Sequence, residues 1–94
     1  MIFAVIGLFK QPRPIPGADF EAAVNEHLAQ PAFRIVNAGY LRDEKGEPVG
    51  VMALLDVESI AQANTFLRSS PFHMGGHYER VEVAAYDVEV GRLG

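Results

Sequence analysis

The chain has 94 residues, 49% hydrophobic and 21% charged, which is the composition of a single globular domain spanning residues 1–94. Twelve acidic residues against eight basic ones leave a net charge of −4 with no basic run, so a nucleic acid finds no electrostatic footprint. Zero cysteines exclude disulfides, thiolate metal ligands and a Cys nucleophile, and fit a reducing, cytoplasmic location.

The opening run of residues 2 to 9 is apolar on both alternating faces. Ile2, Ala4, Ile6 and Leu8 lie on one, and Phe3, Val5 and Phe9 on the other. It stops at Lys10, too short to cross a bilayer, and reads as a strand covered on both sides, with no membrane partner expected. Three prolines at 12, 14 and 16 forbid regular pairing and predict a stiff connector over 11–17.

A helix follows from residue 18 or 19 to about 29, with Asp19 and Glu21 favourably placed at its N-terminus and Pro31 marking its end. Phe20, Ala23, Val24, His27 and Leu28 fall at helical spacing and form its inward stripe. Residues 33–42 and 48–57 read as a hairpin about a polar turn at 43–47, and the second strand is again apolar on both faces. Ser59 with Gln62 is a capping-box pattern that opens a second helix ending at Ser69 or Ser70. Ser70, Pro71, Phe72, His73, Gly75, Gly76 and His77 then predict a fixed turn, with Gly76 at positive φ, before a last alternating strand over 78–88.

The order β-α-β-β-α-β predicts an α+β, ferredoxin-like fold: a four-stranded antiparallel sheet with two helices on one face. The other face is too apolar for water. A second sheet is expected to cover it, giving a two-fold homodimer through the sheet faces, a dimeric α+β barrel. On this reading a charge at Val51 or Ala53 disrupts the interface.

The pair Ala38-Gly39, the 43–46 turn, the helix at 59–67, the triplet Ser70-Pro71-Phe72, Gly76 and the closing strand together resemble the YciI-like (YCII-related) family of small dimeric α+β-barrel proteins, over nearly the whole chain. The resemblance implies an active-site cleft formed by a histidine late in the first helix and the carboxylate of an Asp-Pro-Tyr/Phe triplet after the second. His27 matches that histidine in its distance from the first strand. The triplet here begins with Ser70, which hydrogen-bonds but does not stabilise an imidazolium as an ionised Asp does.

The implied function is binding of a small organic molecule in a cleft near His27 and the 70–77 segment. His27 would be the catalytic acid/base for lyase- or hydrolase-like chemistry, and Ser70, Phe72, His73 and His77 the ligand contacts. The alternative is a non-catalytic ligand-binding or interaction module that has lost the carboxylate. No cofactor is expected. Nor is a metal: His73 and His77 are four residues apart, but Gly75-Gly76 breaks the helix that would align them, and no third ligand stands at a diagnostic spacing.

Overall fold

The computed structural model describes residues 1–10 and 17–92, so the connector expected at 11–17 lies outside the described residues except for Gly17. The elements run β1 (Ile2–Phe9), α1 (Ala18–Leu28), β2 (Arg34–Arg42), β3 (Pro48–Asp56), α2 (Ile60–Arg68), α3 (Pro71–Met74) and β4 (Tyr78–Ala85). The strands form one antiparallel sheet in the order β2-β3-β1-β4, the ferredoxin-like topology expected from the element order. The two apolar strands, β1 and β3, are the central ones, where neither edge needs polar protection.

Local signals explain most boundaries. The hairpin turn is held by Asp43, whose Oδ1 accepts from the backbone N–H of Lys45 at 2.9 Å and of Glu47 at 3.0 Å, with Gly46 at φ 84°. Ser59 caps α2 by accepting from Gln62 N–H at 3.3 Å, while Gln62 Oε1 reaches one residue beyond the usual capping box to Glu58 N–H at 2.7 Å. The segment read as a fixed turn is instead one turn of helix: Pro71, with φ pre-set, opens α3, and Ser70 Oγ accepts from Phe72 N–H at 3.3 Å. Gly76, at φ 72°, then redirects the chain into β4. β4 ends at Ala85, short of residue 88, because Tyr86 N–H bonds Ile2 O at 2.9 Å and β1 begins there.

Phe3, Val5, Ala53, Leu55, Val57, Ala63, Phe66 and Leu67 form the core between the sheet and α2. α1 packs differently. Its backbone neighbours lie in α3 more than in the sheet, Ala23 of its expected stripe is exposed, and His27 is its one buried residue. A helix held off its sheet leaves space beneath it.

Pairing assigns the faces. Phe3–Leu55, Val5–Ala53 and Gly7–Val51 look toward the helices, while Ile6–Met52 and Ala4–Leu54 look away. Val51 and Ala53 therefore face the helices, and the open face is carried by Ile2, Ala4, Ile6, Leu8, Met52 and Leu54. Its rim holds Arg34, Asn37, Arg80 and Glu82.

Two register shifts break the alternation. In β2 the pairing passes from Ile35–Leu55 to Asn37–Leu54, and at the end of β1 from Leu8–Arg80 to Phe9–Tyr78. Each extra residue reverses which side chains face the helices. The first turns Tyr40 inward and the second turns Tyr78 inward.

Candidate functional site

The space under α1 is a cavity of about 220 Å³. The helix roofs it with Val24, Asn25, His27 and Leu28; Val5, Ala38, Val51 and Ala53 of the sheet form its floor, and Phe66, Ser70, Phe72 and Tyr78 close the side. Tyr40 and Glu21 also line it, and each is partly open to solvent.

His27 sits near the C-terminal end of α1 and is 6% exposed. Its ring lies 4.6 Å from that of Phe66 and 6.4 Å from that of Phe33. Nδ1 meets Gln30 Nε2 at 3.1 Å, and Nε2 is buried without a hydrogen-bond partner. Buried polar nitrogens are nearly always satisfied, and this one is closed off from the cavity space, so a ligand there reaches it only if the ring turns. Burial lowers the imidazole pKa below its usual 6.5, opposed by the backbone of Phe66. The ring is therefore neutral near pH 7.

The depressed value fixes a sign. When pH falls below 6.5, the unfolded chain takes up a proton at this histidine before the folded one does, so stability is lost until the lowered folded value is passed. Urea midpoints measured from about pH 7.5 to about pH 5.5 should fall more steeply for the native protein than for His27→Gln. Parallel curves would mean that His27 does not resist protonation.

Opposite His27 stands an aromatic group centred on Phe72, 4% exposed, whose ring lies 5.2 Å from Phe9, 4.9 Å from Phe20, 6.3 Å from Tyr40 and 6.0 Å from Tyr78. Burial pushes the Tyr78 phenol up to about 12, against the hydrogen bond it shares with Ser70. Tyr40 is raised as well, by burial and by the Glu21 carboxylate, with Arg42 opposing. Gly7 makes room for this arrangement: a Cβ there would overlap the Tyr78 ring.

Of the residues singled out in the sequence, His27, Ser70 and Phe72 share the cavity wall. His73 is exposed on α3 with its ring 6.5 Å from Tyr78, and His77 packs edge-on against Phe20 at 5.2 Å and Phe72 at 5.9 Å; neither lines the cavity. Among the described residues no three His, Asp or Glu side chains are grouped to hold a metal ion. Tyr78 and Asn25 were not evident as site residues. Gly7, isolated within an apolar strand, was the one sequence signal of a close approach.

Fold and cavity together define a class, a ferredoxin-like α+β domain with a small-molecule-sized chamber between its first helix and its sheet. Solved structures share the fold. The 5-chloro-2-hydroxyhydroquinone dehydrochlorinase TftG from Burkholderia phenoliruptrix AC1100, in complex with 2,5-dihydroxybenzoquinone, superposes with a TM-score of 0.59 over 93% of this chain and 94% of its own, at 16% identity. Rv0793 from Mycobacterium tuberculosis does so with a TM-score of 0.52 over 97% of this chain and 100% of its own, at 20% identity. The chain thus shares the α+β, ferredoxin-like fold of these structures, the fold class expected from its sequence. No protein-family model matches the sequence, and no curated protein matches it significantly. Among the described residues no helix is long and apolar enough to cross a membrane.

Proposed function

We propose that this protein is a homodimer that binds a small, largely apolar organic molecule in the cavity beneath α1, with His27 on its wall. The observation that carries this is an apolar chamber of about 220 Å³ whose wall includes two buried polar residues, His27 and Ser70. An apolar cavity of about 150 Å³ is enough to take up benzene, so the size suits a substituted single ring. Ser70 and Phe72 line the same chamber and are its further contacts; His73 lies against Tyr78 and His77 against Phe72, so each acts on the ligand through a ring of the wall. The dimer forms through the open sheet face, and the cysteine-free composition supports a cytoplasmic setting.

A second reading, acid/base chemistry at His27, is supported by a ring that burial keeps neutral near pH 7; because Nδ1 accepts from Gln30 Nε2, that bond has to give way before the ring takes up a proton from a ligand. TftG, a dehydrochlorinase with a quinone in its complex, supports it by analogy of fold.

Titration with p-xylene tests the binding reading. The methyl resonances of Val24, Leu28, Ala38, Val51 and Ala53 should move together in slow or intermediate exchange, with those of Val81 and Val90 unmoved. Unchanged methyls at the solubility limit of p-xylene would refute it.

A further inference from the structure

The cavity beneath α1 is closed on one side and open on the other. Its walls from β1, α2 and α3, with Ala53 of β3, are made of buried residues: Val5, Ala53, Phe66, Leu67, Ser70 and Phe72. The lining residues that are exposed, Glu21, Asn25, Ala38, Gly39 and Tyr40, all come from α1 and β2. A residue that both lines a cavity and meets solvent stands at its mouth. Among the described residues the mouth is therefore the seam between α1 and the edge strand β2.

The fold accounts for the seam. β2 has no strand beyond it, and α1 stands off the sheet, whereas α2 packs on β1 and β4 and seals the other flank. Tyr40 is a fixed jamb of the opening: its ring lies edge-on to Phe72 at 6.3 Å and 6.0 Å from the Arg42 guanidinium, which itself donates to Gly46 O at 2.7 Å. Two residues earlier stands Ala38. It pairs with Ala53 of the core, so its methyl points toward the helices, and yet it is exposed. On its other side, across the register shift, the next side chain directed toward the helices is Ile35, which packs against the core. The strand thus presents a methyl group between two large side chains. Strands favour β-branched and aromatic residues at such positions, and alanine adds little to one. On the helix, the exposed lining residues Glu21 and Asn25 are four apart and share a face.

We propose that ligands enter the chamber from the side, through the gap between Asn25 of α1 and Ala38 of β2, and that the short side chain of Ala38 is what lets them pass. The assignment rests on the reading of the cavity as a ligand site and adds to it the route of entry and the residue that limits it. Ala38 and Tyr40 point toward the helices, so this entry stays clear when a second subunit covers the open sheet face.

The chain has no cysteine, so a single one gives a selective handle. Ala38→Cys and, as a control on the exposed side of α2, Ala61→Cys are mixed with p-xylene and then labelled with 2-(trimethylammonio)ethyl methanethiosulfonate. The permanent charge keeps the added group in water and out of the apolar chamber, and melting curves check that each labelled protein is folded. Entry and exit rates come from line shapes of the Val24 and Val51 methyl resonances, and the dissociation constant from their titration. An obstacle at the mouth raises the barrier to entry and exit alike. The label on Ala38→Cys should therefore slow both rates by at least about tenfold with the dissociation constant changed by less than about threefold. Dithiothreitol should restore both rates, and the label on Ala61→Cys should change neither. Without any label, the entry rate should fall in the order Ala38→Gly, native, Ala38→Val. Unchanged rates with the label on Ala38→Cys, or weaker binding at an unchanged entry rate, would overturn the route, and equal entry rates in Ala38→Gly and Ala38→Val would overturn the role of this side chain; in each case p-xylene binding leaves the ligand site standing. If p-xylene failed to bind the native protein, the ligand-site reading would fall with the inference.

Discussion

Met52→Glu is expected to convert a particle of about twice 10.3 kDa into one of 10.3 kDa, measured by sedimentation at low micromolar concentration. Met52 is central on the open face, paired with Ile6 on one side and Gly39 on the other, and is only partly buried by its own subunit. The face around it is apolar at the centre and charged at the edge, where Arg34 lies 3.9 Å from Asp56 and Arg80 2.8 Å from Glu82, the distribution of a specific interface. A carboxylate buried there unpaired costs several kcal/mol, and two-fold symmetry enters it twice. Because the side chain points away from the helices, the variant should keep its far-ultraviolet circular dichroism. A dimer of unchanged mass would show that this face is not where the subunits meet, and a native protein sedimenting at 10.3 kDa would show that they do not meet at all.

Phe72→Ala carries the largest expected loss of stability, about 3–5 kcal/mol from a domain that has about 5–15. Phe72 is 4% exposed and is the ring through which α3 holds Phe9 of β1, Phe20 of α1 and Tyr78 of β4. With α1 standing off the sheet, this cluster is its main attachment at the N-terminal end, as His27 against Phe66 is at the other. The melting temperature should fall by about 15 °C or more. Amide protons of α1 should lose protection before those of β1 and β3, because His27 is the one buried residue of the helix. A loss under about 1 kcal/mol would mean that α1 is anchored elsewhere.

Much of this architecture could be read from the chain. Apolar residues on both faces of β1 and β3 identified the central strands, because a strand covered twice cannot alternate. His27 was visible as a polar residue on an apolar stripe, and Ser70 and Phe72 as neighbours of Pro71. The tyrosines were harder. Tyr78 shares the parity of Arg80 in the sequence, and Tyr40 is opposite in parity to Ile35, so simple alternation puts each on the wrong side of the sheet. Only the pairing of β1 with β4 and of β2 with β3 reveals the extra residue that corrects each. The one-turn helix α3 is hard to read from the chain because Pro71 fits a break after α2 as well as the start of a new helix capped by Ser70. The cavity itself leaves no mark in periodicity, since a helix resting on a sheet and one held above it have the same stripe.

The vacancy opposite Tyr78 ties two distant positions into one heritable unit. Any side chain at residue 7 takes the volume that the phenol ring now fills, so neither position is free to drift alone. Among descendants of this chain, glycine at 7 should travel with an aromatic residue at 78, and alanine or valine at 7 with a small aliphatic one. The second pairing would pass on the same scaffold with a dry, purely apolar chamber, and with it a different choice of guest.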